Sequence, residues 1–428
     1  MKKNRFLSFL LAGCLLFTGC SGGEDQPETT TDGNTYVDVT DEEGKPVTNA
    51  EGEVVTSVIP AVPEEKELTV GFVYSGKAGG DAVSEYFEDA RAEIARVLGA
   101  KTYYVENVLV SQFEAATAVL VEKGCNVIVS TSVRYANAVY DEATGNKKVH
   151  FVSYGGTKAQ NNLSCFQGEV YKGAFVCGLA AAYNSDSNII GVVADPAVIS
   201  VYNVIDGFII GAKELTKNDT DVRVNWAWGN RDQETKDAID NLISQGCDVI
   251  FTATGSRFAV QYCELKGIKV IGLSYNMPDL APENYITGTF CNVKLFLIDV
   301  LRSVRYGTDG VEVYRGGIKE GAVRVVAINE KAREGTKEIC DTLYQLCEQG
   351  KALVFKDELK DTNGNIKVKK GETLDADKIM GIDWLEQSVK SENNYCEPLL
   401  DPVGSDLTVY EDKEQAAGTD AEEAVTAA

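Results

Sequence analysis

From residue 67 onward, short apolar runs alternate with longer stretches in which apolar residues recur at helical spacing. The apolar runs are rich in valine and isoleucine and show no alternation, which is typical of strands buried on both faces of a parallel sheet. This order predicts strands at residues 67–74, 101–105, 126–130, 148–153, 188–193, 221–228, 248–253, 268–273, 285–290 and 322–328, with helices between most of them. Beyond the last strand it predicts a helix at 330–349, a hairpin, and a final helix around 376–390.

The sequence also repeats itself. Residues 120–131 (LVEKGCNVIVST) reappear as residues 242–253 (LISQGCDVIFTA), and residues 70–76 correspond to 190–196 at nearly the same offset. Each copy combines a helix end, a glycine, an apolar strand and a small polar loop. Any two helix–glycine–strand units look somewhat alike, but the shared order and offset favour a duplication. Because ligands bind beyond the carboxyl ends of parallel strands, two facing copies would enclose a cleft.

We therefore predict an α/β fold of two Rossmann-like lobes with parallel central sheets, joined by a three-segment hinge. The chain returns after Pro282, which places the first lobe at residues 67–164 and 283–318 and the second at 165–282 and 319–395. Helices between strands of one parallel sheet imply right-handed crossovers.

The two ends of the chain differ from the rest. Lys2, Lys3 and Arg5 precede an apolar run too short to span a bilayer, and Phe17-Thr-Gly-Cys20 then resembles a bacterial lipobox. We predict a lipoprotein signal peptide at 1–19, acylation of Cys20 and membrane anchoring on the extracytoplasmic face. Cleavage before Cys14, or ordinary secretion, is the alternative. Residues 20–66 are acidic and poor in large apolar residues, which predicts a disordered tether, and residues 396–428 are predicted to be a largely disordered tail.

Composition narrows the function. The formal net charge of −24 argues against nucleic acid or an anionic lipid surface as partner. Nine of the 11 cysteines follow Cys20 without a Cys-x-x-Cys motif, and His150 is the only histidine, so we expect no metal site and no cofactor. No Gly-x-Ser-x-Gly motif occurs, and we expect no enzyme, although carboxylates paired in space are invisible in a sequence.

Several strings in order resemble the basic membrane protein (Bmp/Med) family of lipoproteins. They are residues 99–108 (GAKTYYVENV), 130–135 (STSVRY), 171–178 (YKGAFVCG), 271–277 (IGLSYNM) and 380–385 (MGIDWL). The resemblance covers roughly residues 68–395 and implies a type I periplasmic-binding-protein fold. It also implies an ABC-transporter substrate-binding protein with a permease as partner and a purine nucleoside or purine base as ligand. We expect a monomer.

By this resemblance, the ligand contacts lie on the loops after the strands of both lobes. The expected aromatic contacts are Tyr86, Tyr135, Tyr154 and Trp228, and the expected polar or backbone contacts are Ser75, Gly76, Asp81, Ser132, Asn230, Thr254, Ser256 and Asn276. Stacking contributes on the order of 1–3 kcal/mol per base, although the aromatics could simply pack the lobe edges. The first loop and Cys291 depart from the family pattern. A non-purine ligand, a sensor or an enzyme on the same fold therefore remain alternatives.

Overall fold

The computed structural model describes residues 35–38, 45, 54, 56–59, 66–195, 199–216, 220–274, 277–307, 313–391 and 405–411. The predicted signal peptide, Cys14, Cys20 and Asn276 lie outside these residues.

The chain divides into residues 1–64 and residues 65–428. In the first part, β1 (Thr35–Asp38) and β2 (Thr56–Ile59) pair antiparallel, with Thr35 opposite Ile59. Their β-branched residues suit a strand. Within residues 20–66, for which we predict a disordered tether, the structure thus describes these two strands.

In the second part, the first lobe is built mainly from strands and helices in alternation. They are β3 (Thr69–Val73), α1 (Ala82–Leu98), β4 (Lys101–Val105), α2 (Phe113–Glu122), β5 (Val127–Ser130), α3 (Ala136–Gly145), β6 (His150–Tyr154) and β7 (Leu163–Gly168). The strands pair in parallel in the order β7-β6-β5-β3-β4. Every residue of β5 is buried, as expected for a sheet with both faces covered. The apolar pattern predicted these strands apart from β7, which is half polar.

The second lobe repeats this arrangement. Its elements are α4 (Val170–Asn184), β8 (Ile189–Ala194), α5 (Ile199–Thr216), β9 (Asp221–Trp226), α6 (Asp232–Ser244), β10 (Val249–Ala253), α7 (Arg257–Lys266), β11 (Lys269–Gly272) and β12 (Tyr285–Cys291). The parallel order β11-β10-β8-β9 matches the order β6-β5-β3-β4 of the first lobe. The strands of the two repeated sequences, β5 and β10, therefore occupy equivalent places in different sheets.

The remaining elements complete both lobes. They are α8 (Val293–Tyr306), β13 (Val313–Gly316), β14 (Val323–Val325), α9 (Thr336–Glu348), β15 (Leu359–Lys360), β16 (Ile366–Val368), α10 (Ala376–Met380), β17 (Val389–Ser391) and β18 (Tyr410–Glu411). Helix α8 packs on α1, and β13 pairs with β7, whereas β14 pairs with β12 and β17 with β9. The helix predicted around 376–390 ends at Met380, since Gly381 follows it.

In the described residues, the chain crosses between the lobes at 168–170, 291–293 and 316–323. The crossings lie side by side: Glu169 N donates to Gly316 O at 2.8 Å, and Asn292 N donates to Ala322 O at 2.8 Å. The residue boundaries of the lobes remain a prediction. One strand departs from them, because β12 pairs in parallel with β11 of the second lobe, although we placed residues 283–318 in the first.

Within residues 396–428, for which we predict a largely disordered tail, the structure describes residues 405–411. Strand β18 pairs antiparallel with β4, and the Tyr410 and Tyr104 rings stack at 5.0 Å. The Glu411 carboxylate lies 3.3 Å from the Lys101 amine. This segment covers an edge of the first sheet that would otherwise expose unpaired backbone groups.

Helices α4 and α5 pack closely in the core of the second lobe. A Cβ atom at Gly178 would overlap the carbonyl oxygen of Phe208, and one at Gly211 would overlap that of Phe175. Glycine is therefore needed at both positions for the backbones to approach. This contact supports one layer of helices beneath the second sheet.

Candidate functional site

Side chains of α1 join the first lobe to loops of the second. The Glu85 carboxylate and the Arg257 guanidinium form an ion pair of 2.5 Å. The buried Tyr86 hydroxyl donates to Leu273 O at 2.9 Å. Glu85 and Tyr86 lie in the first turn of α1, Arg257 begins α7 and Leu273 follows β11. The strand-end loops of the two sheets thus face each other across a cleft.

An indole and a guanidinium meet in this cleft. Trp228 follows β9, and its carbonyl oxygen accepts a hydrogen bond of 2.9 Å from Arg231 N, which holds the loop in a turn. The Arg134 Cζ atom, from the first lobe, lies 5.5 Å from the centroid of the Trp228 ring. The Trp228 side chain is 4% exposed, whereas Arg134 is exposed, so the guanidinium lies between the indole and the solvent. The guanidinium therefore covers part of the flat surface that Trp228 contributes.

Asp195 lies beside this pair, directly after β8. Its Oδ1 atom accepts a hydrogen bond of 2.9 Å from Gly229 N. Burial raises the pKa of Asp195 to about 6; the Gly229 N–H and the Arg134 guanidinium act to lower this pKa, and the Asp81 carboxylate acts to raise it. Since Arg134 and Asp81 belong to the opposite lobe, Asp195 faces the cleft.

The loops after β9 and β10 lie against each other next to Asp195. A Cβ atom at Gly229 would lie 2.8 Å from Cβ of Thr254. The Thr254 hydroxyl accepts from Ser256 N at 3.2 Å, and the Ser256 hydroxyl caps α7 by accepting from Ala259 N at 3.2 Å. The second lobe thus presents an aromatic ring, a carboxylate and two hydroxyl-bearing residues on adjoining loops.

A family model for PnrA-like ABC-transporter substrate-binding proteins, the Bmp family, matches residues 67–370. The chain belongs to the Bmp family. Its proteins are extracytoplasmic and present a small molecule to a membrane permease. The match confirms the family resemblance found in the sequence.

Two relatives match the Bmp chain along most of their length. A purine-binding protein of Brucella abortus is 28% identical over 76% of this chain and 93% of its own length. A candidate ABC-transporter glucose-binding protein of Haloferax volcanii is 26% identical over 78% of this chain and 80% of its own length. Among solved structures, an ABC-transporter solute-binding protein of Aeropyrum pernix superposes with a TM-score of 0.60 at 14% identity, covering 73% of this chain and 95% of its own. That superposition confirms the predicted fold class.

In the first loop of the Bmp chain, Asp81, a predicted ligand contact, caps the N-terminus of α1. The Asp81 Oδ1 atom accepts from the backbone N–H groups of Val83 at 2.9 Å and Ser84 at 3.0 Å. Ser75 is exposed, and Gly76 is half-buried. A capping carboxylate is held firmly, so Asp81 contributes a fixed negative charge to the cleft through its place at the start of α1.

Tyr135 does not lie on the surface of the cleft, contrary to our prediction. Its ring is fully buried against Phe113 at 4.9 Å, and its hydroxyl donates to Val108 O. Ser132 begins a single 3-10 turn at Val133–Tyr135, accepting from Arg134 N at 3.4 Å. This turn directs Tyr135 into the core and leaves the neighbouring Arg134 exposed to the cleft.

Tyr154 lies at the hinge. Its ring packs against Phe87 at 5.5 Å and Phe166 at 6.0 Å, and its hydroxyl lies 3.9 Å from the Cys291 sulfur. Burial raises the pKa of the Cys291 thiol to about 12, so this cysteine stays protonated. Tyr154, the last residue of β6, therefore contributes its ring to the packing of the first lobe beside the crossovers.

A cavity of about 180 Å³ lies next to these crossovers, between Tyr86, Cys291, Lys294 and Arg324. Neither Trp228 nor Asp195 lines it. We place the candidate site at the loops around Trp228, because ligands of parallel α/β sheets bind beyond the carboxyl ends of the strands.

The remaining predicted residues belong to the second lobe. Asn230 is exposed two residues after Trp228, and Asn276 falls outside the described residues. Across the part of the chain that the structure describes, no helix combines the length and hydropathy required to cross a membrane.

Proposed function

We propose that this Bmp-family chain is a lipid-anchored substrate-binding protein that binds a purine nucleoside or purine base between its lobes for uptake by an ABC transporter. The observation that carries the proposal is the Trp228 ring at a strand end of one lobe, met by Arg134 from the other. The purine-binding relative from Brucella abortus supports the ligand class. A lipid anchor at Cys20 rests on the sequence, since that residue lies outside the described part.

The chemistry of the cleft suits a purine. A purine is a flat ring system with hydrogen-bond donors and acceptors on its edges, so it needs an aromatic partner and a few placed polar groups. Trp228 offers the ring, and Asp195, Arg134, Thr254 and Ser256 offer polar groups from loops on both lobes. Closure of the two lobes around a ligand would then exclude water from the stack.

A sugar is the second candidate ligand. The relative from Haloferax volcanii is a candidate glucose-binding protein, and a sugar ring can also pack on an indole while its hydroxyl groups bond to a carboxylate and a guanidinium. Glucose therefore belongs in the same binding experiment as the purines.

The test is a calorimetric titration of the purified chain with guanosine, inosine, adenosine, adenine and glucose. We expect purine binding that Trp228→Ala weakens by about five- to a hundredfold, as the loss of one stacking partner implies. Trp384→Ala is the matched control, because the Trp384 ring also lies beneath a cation, Lys367 at 6.0 Å, but belongs to the C-terminal region. Binding of glucose without any purine would reject the ligand class. Purine binding that Trp228→Ala leaves unchanged would reject the site.

A further inference from the structure

Two opposite charges lie near Trp228. Arg134 covers the indole from the first lobe. Asp195 is hydrogen-bonded to Gly229, the residue after Trp228, because its Oδ1 atom accepts from Gly229 N at 2.9 Å. A ligand stacked on Trp228 would therefore meet a carboxylate and a guanidinium at its edges.

Asp195 has accepting capacity left. Among the residues that the structure describes, Gly229 N is the hydrogen-bond donor recorded for this carboxylate, and it occupies one lone pair of one oxygen. A carboxylate has about four lone-pair positions and, when ionised, only accepts. Its pKa of about 6 leaves it mostly ionised at neutral pH. It is thus suited to a ligand edge that carries N–H groups.

Arg134 supplies the complementary chemistry. Its side chain is exposed, and within the described ranges the structure records no ion pair for its guanidinium. A guanidinium only donates, through five N–H bonds in a planar fork. It also rests where a base would stack, so a stacked ligand requires this long side chain to move toward the ring edge. There its N–H bonds would face the acceptors of that ligand.

We propose that Arg134 and Asp195 make the cleft selective for 6-oxopurines, such as guanine and hypoxanthine, over 6-aminopurines. This inference rests on the purine-binding function proposed above. Guanine carries N–H donors at N1 and on its 2-amino group, which match a carboxylate, and acceptors at O6 and N7, which match a guanidinium. In the same pose, adenine places its N1 acceptor against the Asp195 oxygens and its 6-amino donors against the Arg134 N–H groups, so both contacts are mismatched.

The size of the selectivity follows from the same pairing. A site built to hydrogen-bond a polar group discriminates strongly against an analogue that lacks it, because the polar groups of the site are then left unpaired. A good bidentate pair discriminates by about 1–3 kcal/mol between bases, which corresponds to about five- to a hundredfold in affinity. Inosine, which has the N1–H but no 2-amino group, is expected to fall between guanosine and adenosine.

The test compares guanosine, inosine and adenosine by calorimetric titration of the wild-type chain, Asp195→Asn and Arg134→Gln. We expect the wild type to bind guanosine about five- to a hundredfold more tightly than adenosine. Asp195→Asn, which preserves shape and the bond from Gly229, should reduce that ratio by about tenfold or more, and Arg134→Gln should weaken guanosine and inosine more than adenosine. Asp237→Asn and Arg96→Gln are the controls, since both side chains lie on helix surfaces, 65% and 71% exposed.

Circular dichroism and thermal unfolding of each variant show whether it is folded. Adenosine bound as tightly as guanosine, or an unchanged ratio in folded Asp195→Asn, would overturn the inference and leave purine binding standing. An unchanged ratio together with equally weakened binding of all three nucleosides would assign Asp195 to the ribose hydroxyl groups, which every nucleoside shares. If no purine binds, the proposed function fails and this inference fails with it.

Discussion

Replacing Glu85 by Gln removes an ion pair that joins the strand-end loops of the two lobes. The Glu85 and Arg257 side chains are 18% and 37% exposed, so water screens their attraction substantially. Ion pairs of this kind contribute about 0.5–1 kcal/mol. Because the pair can form only when the lobes are together, its whole contribution should appear in the affinity for the ligand. We expect the dissociation constant for guanosine to rise about two- to fivefold.

The measurement is the dissociation constant from calorimetric titration in low and high salt, where the difference between wild type and variant should shrink as salt screens the pair. Glu93→Gln is the matched control, because Glu93 pairs at 2.7 Å with Arg96 within α1 and joins no second lobe. Arg257→Gln should give the same loss, and the double variant should lose little more than either single one. An unchanged affinity in Glu85→Gln, or an equal loss in Glu93→Gln, would refute the reasoning that this contact supports closure.

Three further predictions follow from the structure and the sequence. Guanosine binding should weaken as the pH falls from about 7.5 to 5, because Asp195, with a pKa of about 6, gains a proton and accepts N–H groups less well while Arg134 stays charged. Calorimetric titrations across this pH range test the prediction, and an affinity that does not change with pH would contradict it. Cys20→Ser should release the protein from membranes, as fractionation and immunoblotting would show, whereas release only by substitution of the other N-terminal cysteine would move the anchor. Gly211→Ala should lower the free energy of unfolding by about 1–3 kcal/mol, because its Cβ atom would overlap the Phe175 carbonyl oxygen of α4. Gly145→Ala, which has open space around it, should leave the free energy of unfolding almost unchanged in the same denaturant melts.

The fold could be predicted where the signal is local. The repeated sequences at 120–131 and 242–253 each contain a fully buried strand, and the strands around them are found in the same order in both sheets. The short edge strands β13, β17 and β18 were missed. Two to four residues carry too little pattern to identify a strand, and these form because a neighbouring strand offers free hydrogen-bonding groups.

The site could be predicted only in outline. The sequence places Trp228 on a strand-end loop, as the structure does. It does not show that the Tyr135 ring is buried while the neighbouring Arg134 is exposed, because these side-chain directions depend on a 3-10 turn of three residues. The sequence does carry a signal for Asp195, because the repeat aligns it with Ser75, a predicted ligand contact. The contact between Arg134 and Trp228 joins different lobes, so no local sequence pattern predicts it.

A crystal structure of the chain with guanosine tests the central claim most directly, because it locates the ligand. We predict the base stacked on the Trp228 indole between the lobes, with Arg134 moved off the ring face and the Asp195 carboxylate within hydrogen-bond distance of the base. Guanosine held elsewhere, for example in the cavity beside Cys291, or a cleft that stays without ligand at saturating guanosine, would contradict the account.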